Sequence, residues 1–480
     1  MAESRVNSWV GPARRIGSDL HLELSGPGGR RAALIRALRE AVRSGRLAPG
    51  TRLPPYRSLA ADLGFARNTV ADAYAELVAE GWLTARQGSG TRVATGVPSL
   101  ASGRGDSAGP RVPKAAPARA RGPRHDLRQG TPDASAFPRT AWLASYRRAL
   151  QRAPHEVFGP GDPAGRIELR EALAEYLARA RGVRTDPGRI VICSGFAHAL
   201  RLLFGGGVLR GPLAVEAYGL GFHREVLAAA GVRTVPLPLD EHGARVERLG
   251  RERAVLLTPA HQFPTGGPLH PERRAAVVDW ARARGGLVLE DDYDGEFRYD
   301  RKPVGAVQGL DPERVIHLGS VSKSLSPAVR LGWMVLPERY AGAVIAAKGE
   351  REGWASVLDQ LCLADFVASG SYDRHVRRMR QRYRGRRDRL VAALAGHAPH
   401  IGVTGVAAGL HAVLRLPPGT EASAVKAAAW QGVALDGLAA FRHPETDMPV
   451  SDGLVVGYAT PSEHAYGPAL EALCRALPPP

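Results

Sequence analysis

A chain of 480 residues is longer than one ordinary domain, so we expect at least two folded units. No apolar run approaches the ~18 residues that cross a bilayer, and the N-terminus lacks the apolar core of a secretory signal, which favours a cytoplasmic protein without membrane contact. The net charge of +18 is concentrated in residues 1–125, where 20 lysines and arginines face 9 acidic residues, and this favours a polyanionic partner such as nucleic acid.

The N-terminal region has the pattern helix, helix-turn-helix and hairpin. Apolar residues at helical spacing predict three helices, and two β-type runs follow: Ala32–Arg43, Tyr56–Leu63, Ala66–Glu80, then Leu83–Ala85 and Arg92–Ala94. Gly45 is expected to end the first helix, and the pair Gly64–Phe65 forms the turn between the other two. We interpret residues 1–95 as a winged helix-turn-helix domain.

A change of composition follows this domain. Residues 96–124 are rich in Pro, Gly, Ala, Ser and Arg with almost no large apolar residues, and we expect an extended, mobile linker. Beyond it, β-type runs alternate with helical patterns such as Pro271–Arg284. The predicted strands are Ile190–Cys193, Leu213–Glu216, Ala254–Leu257, Leu287–Glu290 and Val315–Leu318. Such alternation predicts an α/β domain over 125–480, with a mainly parallel sheet and a ligand site at the carboxyl ends of its strands.

The helix-turn-helix and wing resemble a GntR-type winged helix through Leu53-Pro54, Arg67-Asn68-Thr69-Val70 and Gly88-Ser89-Gly90-Thr91. The first residues of the second helix enter the major groove in such domains, so Arg67, Asn68 and Thr69 are expected to contact bases of a double-stranded operator. Arg57 is expected to meet a phosphate. Gly88 and Gly90 would bring the wing close to the DNA backbone, although an ordinary tight hairpin needs such glycines as well.

Five segments of the second half together resemble the fold-type I aminotransferases. They read FGPGDPAGRIELREAL, SGFAHAL, TPAHQFPTGGPL, VLEDDYDGEFRY and GSVSKSLSPAVRLGW, and begin at residues 158, 194, 258, 288 and 319. The resemblance implies pyridoxal 5'-phosphate (PLP) as cofactor, with Lys323 forming a Schiff base to its aldehyde. The phosphate ligands it implies are the side chains of Ser320, Ser322 and Arg330 and the backbone N–H groups of Gly195, Phe196 and Ala197.

The remaining ring contacts follow from the same resemblance. Asp291 would keep the pyridine nitrogen protonated, and Tyr293 would donate to the phenolic oxygen. Tyr218 and His261 complete the cofactor set, with satisfaction of buried backbone as the alternative for His261. Arg442 is the candidate for an effector carboxylate, and a surface arginine is the alternative. The three scattered cysteines, Cys193, Cys362 and Cys474, predict buried reduced thiols and no metal site.

The two halves together resemble the MocR-type branch of GntR regulators. This resemblance implies a transcription regulator that senses PLP or a PLP-bound amine as a head-to-tail, domain-swapped homodimer. The alternatives are an active aminotransferase with a tethered DNA-binding domain and a PLP-free dimerisation scaffold, and partial transamination stays open. Departures from the aminotransferase pattern at Leu220, Phe158 and Val455 alter the substrate side, which favours sensing over turnover.

Overall fold

The computed structural model describes residues 22, 24, 27–86, 90–95, 123–159, 161–299, 304–349 and 355–480. The chain divides into two compact units, 1–119 and 120–480. Most of the predicted linker, and Gly88 of the predicted wing, lie outside the described residues. No helix within the described ranges is long and apolar enough to cross a membrane.

The smaller unit is built from three helices and a hairpin. They are α1 (Arg30–Arg43), α2 (Tyr56–Leu63), α3 (Arg67–Ala79), β1 (Leu83–Arg86) and β2 (Gly90–Val93), the strands pairing antiparallel. One apolar face of each helix meets the others in a core that includes the fully buried Leu38, Leu59 and Leu77. Gly64 adopts the left-handed conformation that ends α2, with φ of 64°. The predicted elements are confirmed to within two residues because each has a clear apolar period and a breaker at its end.

The larger unit contains ten further helices and fifteen strands among the described residues. The helices are α4 (Arg139–Arg152), α5 (Ile167–Arg181), α6 (Phe196–Leu200), α7 (Gly221–Ala229), α8 (Pro271–Arg284), α9 (Glu338–Lys348), α10 (Val357–Ala368), α11 (Ser371–His397), α12 (Glu421–Trp430) and α13 (Glu463–Ala476). The strands are β3 (His125–Asp126), β4 (Ile190–Cys193), β5 (Leu213–Glu216), β6 (Thr234–Leu237), β7 (Leu239–Asp240), β8 (Gly243–Ala244), β9 (Ala254–Leu257), β10 (Leu287–Asp291), β11 (Val315–Ser320), β12 (Gly332–Val335), β13 (Gly402–Thr404), β14 (His411–Arg415), β15 (Val433–Ala434), β16 (Asp436–Gly437) and β17 (Gly453–Gly457).

A seven-stranded sheet in the order β4-β12-β11-β10-β9-β5-β6 forms the centre of this unit. Its neighbours pair in parallel except for β12, which is antiparallel to both β11 and β4. Most of these strands are buried along their whole length, as expected for a sheet covered on both faces. The prediction of a mainly parallel α/β domain is confirmed. Helix α8 and four of the five predicted strands begin and end within one residue of their predicted bounds.

A second, antiparallel sheet in the order β13-β14-β17-β16 lies in the C-terminal part, where α11, α12 and α13 contribute to its apolar core. The three thiols are free, and Cys193 and Cys362 are buried as predicted, whereas Cys474 was predicted to be buried and is half-buried. Because β5, β9, β10 and β11 run in parallel, their carboxyl ends meet at one edge of the large sheet, and the chemically distinctive side chains follow those ends.

Candidate active site

A cavity of about 420 Å³ opens at this edge, a volume in the range of small-molecule sites. The ends of the strands, residues 129–131 and His411 of the smaller sheet line it. The sequence-predicted residues found in its lining are Gly195, Phe196, Ala197, Tyr218, Asp291, Tyr293, Ser320, Ser322, Lys323 and Arg330. His261 and Arg442 are absent from the lining.

Lys323 follows β11 and places an amine inside the cavity. Its Nζ donates to the carbonyl oxygen of Gly130 at 2.5 Å. Burial lowers the pKa of the Lys323 ammonium, an effect that the charges of Asp291 and Asp294 oppose. Gly130 has φ of +92°, and a Cβ there would lie 3.1 Å from Nζ, so glycine leaves room for the amine. A lysine with a lowered pKa is more often neutral and is therefore a better nucleophile toward an aldehyde.

Asp291 is the last residue of β10, and its buried carboxyl group lines the cavity. Within the part of the chain that the structure describes, no hydrogen bond to this carboxyl group is found. Burial, together with the neighbouring charge of Asp292, raises the pKa of Asp291 well above its ordinary value. A buried carboxylate without a donor is costly, so this position is suited to a ligand that brings a cationic N–H group.

The adjacent Asp292 points to the opposite side of the strand and has a different environment. Arg181 donates to its two oxygens at 2.6 and 2.9 Å, and His317 Nε2 lies 3.1 Å away. Although burial alone would raise it, the Arg181 charge and the His317 hydrogen bond lower the pKa of Asp292. This ion pair fixes the end of β10 and so fixes the position of Asp291.

Tyr293 also faces the cavity, and a histidine–aspartate pair lies behind it. His261 Nδ1 is 2.8 Å from Asp294 Oδ2 and 3.0 Å from Tyr293 Oη. His261 Nδ1 therefore lies within hydrogen-bond distance of both the Asp294 carboxyl group and the Tyr293 hydroxyl, which holds Tyr293 at the cavity wall. Burial and Asp294 raise the pKa of Tyr293, which keeps it a donor. The structure thus places His261 behind Tyr293 and not in the lining.

Backbone and side-chain donors gather at the junction of β4 and α6. Gly195 has φ of 112° and precedes α6, and no backbone acceptor among the described residues is found for the amides of Phe196 and Ala197, whereas those of His198 and Ala199 donate to the Gly195 carbonyl. Ser320, Ser322 and Arg330 line the same side of the cavity. Gly332 allows the close approach here, since a Cβ on it would lie 2.8 Å from Gly195 Cα.

The guanidinium of Arg330 adds positive charge to this group of donors. No carboxylate lies within 4.0 Å of it in the described ranges, and its backbone is left-handed with φ of 56°, which is uncommon outside glycine. Such a conformation costs roughly 1 kcal/mol and persists only where the surrounding structure imposes it. Amides, hydroxyls and an unpaired guanidinium together are suited to a phosphate group.

Glu216, which the sequence analysis did not assign to the site, also lines the cavity. Its Oε2 accepts from Thr258 Oγ1 at 2.5 Å and from Gln262 Nε2 at 3.2 Å. Burial raises the pKa of Glu216 to about 7 in spite of these donors. Glu216 ends the predicted strand Leu213–Glu216, and this position at the carboxyl end of a strand could have identified it as a residue of the site.

Two histidines and one arginine of the lining were also not predicted. The His223 ring lies 4.5 Å from that of Phe196, and burial together with Lys323 lowers its pKa to about 4. Burial, aided by His261, lowers the pKa of His411 to about 3, so both rings are neutral at pH 7. Arg224 donates to the carbonyl of Gly219 at 3.0 Å and lines the cavity as well. Long-range folding brings these residues together, and no local pattern marks them.

Arg442 lies outside the cavity, contrary to the expectation of a carboxylate ligand. Its guanidinium donates to the carbonyls of Thr446 at 2.9 Å and Met448 at 2.6 Å, and its Nε is buried without a partner among the described residues. Its backbone pairs with that of Tyr218. Arg442 therefore holds its own loop against the cavity wall, which the sequence pattern could not show.

In the smaller unit, the predicted base-contacting residues begin α3. Arg67 and Asn68 are exposed and Thr69 is half-buried. Arg57 is exposed in the first turn of α2, with its guanidinium 5.9 Å from the centre of the Tyr56 ring. Gly90 begins β2 with φ of +79°, and a Cβ on it would lie 3.2 Å from Arg52 Nε. These positions leave the N-terminal end of α3 open to a partner.

Two family models match the chain. Residues 31–93 match the gntR family of bacterial regulatory proteins, and residues 126–447 match aminotransferase class I and II. The two matches fall on the smaller and the larger unit respectively. They confirm the predicted combination of a helix-turn-helix with an aminotransferase fold.

Individual relatives show the same combination. The probable rhizopine catabolism regulatory protein MocR of Rhizobium meliloti is 33% identical over 443 residues, 89% of this chain and 89% of that protein. The HTH-type pyridoxine biosynthesis transcriptional regulator PdxR of Corynebacterium glutamicum is 33% identical over 382 residues, 79% of this chain and 82% of that protein. Kynurenine aminotransferase of Pyrococcus horikoshii, solved in complex with PMP, has a TM-score of 0.66 at 26% identity over 73% of this chain and 90% of its own.

Proposed function

Because this chain belongs to the MocR-type regulators of the GntR family, we propose that its binding to operator DNA, or the activation that follows, responds to PLP or to a PLP-bound amine. In this proposal residues 1–95 bind DNA, 96–124 are the linker, and 125–480 bind the effector and dimerise. The observation that carries it is the convergence of an amine, an unpaired carboxyl group and an anion-binding junction on one cavity.

The residues of the cavity fit PLP in three places. The Asp291 carboxyl group, which lacks a donor among the described residues, would receive the protonated ring nitrogen, and Tyr293 would donate to the phenolic oxygen. The first amides of α6, with Ser320, Ser322 and Arg330, would hold the phosphate. PLP attached through Lys323 supplies an electron sink for amine chemistry when it is bound.

The chain's own side chains then set the response to an amine. The lowered pKa of Lys323 favours its neutral form, which is the form of an amine that would react with the aldehyde of PLP. The neutral rings of His223 and His411 add no positive charge to the cavity, so with Arg330 on the phosphate the remaining arginine of the lining is Arg224, whose guanidinium also donates to the carbonyls of Gly219, Phe441 and Arg442. An effector amine that carries its own acidic group is therefore suited to this cavity.

For the DNA-binding half we propose that Arg67, Asn68 and Thr69 contact bases, that Arg57 meets a phosphate, and that Gly90, with Gly88, brings the wing to the DNA backbone. The exposure of Arg67 and Asn68 at the start of α3 supports this.

The first experiment compares visible absorption spectra after PLP is added and the protein is desalted. Wild type should retain PLP in stoichiometric amount with an absorption band of lysine-bound PLP, and Lys323→Ala should lose that band. Lys426→Ala is the matched control, because Lys426 is exposed on α12 and lies outside the cavity. Equal retention by Lys323→Ala and wild type would refute the proposed attachment.

A second experiment measures DNA affinity with and without PLP and over a panel of amines. Lys323→Ala should bind DNA like wild type but lose the ligand response, because the two halves perform separate tasks. An unchanged ligand response in this variant would overturn the proposed mechanism.

A second candidate function is turnover as an aminotransferase. It is favoured by Lys323, Asp291 and Tyr293, which the cavity keeps together. Val455, the residue at the position where many aminotransferases hold the substrate carboxylate with arginine, is fully buried in β17. Steady conversion of an amino donor and a keto acid would establish this function, and no conversion over a broad donor panel would exclude it.

We also propose a cytoplasmic homodimer with exchanged DNA-binding domains. Apolar side chains on and near α4 and α5 are unusually open, with Leu143 60%, Phe158 60% and Ile167 42% exposed. Both helices pack on α10, which brings these side chains to one region of the larger unit. Burial against a second copy would remove this apolar surface from water. Sedimentation should show a dimer in wild type and a shift toward monomer in Phe158→Asp.

A further inference from the structure

Helix α11 carries an exposed row of arginines that the cavity does not use. The helix contains nine arginines and two aspartates. Five of the arginines are exposed; Arg389 pairs with Glu463, and we name the other four the α11 basic strip: Arg374, Arg377, Arg378 and Arg384. At 100° and about 1.5 Å per residue, these positions lie on one third of the helix surface and extend about 15 Å along it.

Most other arginines of α11 are used inside the protein. Arg386 is fully buried and binds Asp133 at 3.0 Å and Glu463 at 3.1 Å. Arg389 also pairs with Glu463, and Arg380 donates to the carbonyl of Glu296 at 2.9 Å. The helix therefore has an inner side that holds the fold and an outer side whose four strip arginines form no ion pair closer than 4.0 Å among the described residues.

The strip is almost free of compensating charge. Arg374 donates to Ser371 Oγ at 2.9 Å, and Arg378 contacts His375 Nδ1 at 3.1 Å. In the described ranges no carboxylate lies within 4.0 Å of Arg374, Arg377 or Arg378, and Arg384 reaches Asp388 only at 4.0 Å. Four like charges in so short a row repel each other unless an anionic partner faces them.

We propose that the α11 basic strip binds the phosphate backbone of the DNA, outside the base pairs read by α3. The inference depends on the proposed DNA binding of the smaller unit, because operator DNA is the polyanion that this chain is proposed to bind. Duplex DNA presents one negative charge per ~1.7 Å of axis when both strands are counted, so a 15 Å length of duplex contains about nine phosphates, more than the four arginines of the strip could contact. Arginine is well suited to phosphate, with planar and bidentate donors. The effector-binding unit would thus add affinity without adding sequence specificity.

The test uses the full-length chain and two DNA probes. The short probe is a duplex that wild type selects from random sequence and that is then trimmed to the minimal length that still binds. The long probe adds about 25 base pairs of mixed sequence on each side, which provides further phosphates for the strip to contact. The strip variant combines Arg374→Gln, Arg377→Gln, Arg378→Gln and Arg384→Gln. The control variant replaces four exposed arginines elsewhere on the larger unit: Arg210→Gln, Arg248→Gln, Arg251→Gln and Arg284→Gln.

Affinity is measured against salt concentration for each protein and probe. On the long probe the strip variant should have a log–log salt slope shallower by about 3.6 than the control variant, since each of the four phosphate contacts contributes about 0.9. On the short probe the two variants should match. Equal slopes on the long probe, or equal losses on both probes, would refute the proposal. An absence of DNA selection by wild type would instead refute the proposed function, so the two failures are distinguishable.

Discussion

Glu216→Gln is expected to change the pH dependence of stability, because the folded protein holds this carboxyl group in its neutral form. The group is buried at the cavity wall, and its pKa rises from 4.5 to about 7. A rise of this size corresponds to about 3 kcal/mol between the protonation states. A raised pKa means that the folded state binds the proton more tightly than the unfolded state. The stabilisation is therefore complete below about pH 4.5 and is lost as the pH rises through about 7.

The assay is the midpoint of thermal unfolding of the larger unit, measured by calorimetry between about pH 5 and 8 for both proteins. With an unfolding entropy of about 2.1 cal/mol/K per residue over roughly 360 residues, 3 kcal/mol corresponds to about 4 °C. Wild type should lose about that much relative to Glu216→Gln as the pH rises, since glutamine does not ionise. Titrating groups that do not sense the Glu216 charge cancel in the difference; Asp291 and Tyr293, whose pKa values this charge raises, do not.

Glu225→Gln is the control for this experiment, because Glu225 is exposed on α7 and undergoes the same chemical change. Its difference from wild type should stay constant with pH. A constant difference between wild type and Glu216→Gln would show that Glu216 is ionised in the folded protein and would refute the reasoning.

Three further outcomes follow from the geometry. Arg181→Met should destabilise the larger unit by about 3–5 kcal/mol, as seen in thermal or denaturant unfolding, because it leaves Asp292 charged and buried; a change below 1 kcal/mol would contradict this. Gly332→Ala should weaken PLP retention in equilibrium dialysis at least several-fold while Gly342→Ala, with open space around it, should not, since the new methyl group would meet Gly195. Arg67→Ala should weaken specific DNA binding by about 1–3 kcal/mol in anisotropy titrations, and an equal loss on random DNA would make Arg67 a phosphate contact.

The sequence predicted those parts of the molecule that local patterns determine. The strands Ile190–Cys193 and Leu213–Glu216 are short, mainly apolar runs with a polar residue at or directly after their ends, so both their extent and the edge that holds the site could be derived. The helix Tyr56–Leu63 likewise followed from helical spacing, with the bounds that the structure has. In such segments the local period and the tertiary packing agree.

The rest depends on contacts between distant parts of the chain. His411 comes from a different sheet, and His223 enters the cavity through its packing on Phe196, which no spacing indicates. Arg442 stands in a segment that resembles a binding loop, yet neighbouring carbonyls occupy its guanidinium. Strand β12 was missed because the rule of parallel alternation does not anticipate one reversed strand in the sheet.

The hydrogen bond between Lys323 and Gly130 links cavity occupancy to the start of the larger unit. Gly130 follows β3, which pairs with β15, and the fully buried Leu127, so the lysine helps to anchor the first described residues after the predicted linker. A ligand that bonds to the lysine leaves the Gly130 carbonyl without this donor. By thermodynamic reciprocity, whatever free energy the loss costs the ligand must reappear as weaker anchoring of residues 125–131. Residues 125–131, which follow the predicted linker, are therefore the first segment of the larger unit whose stability would change when a ligand occupies the cavity.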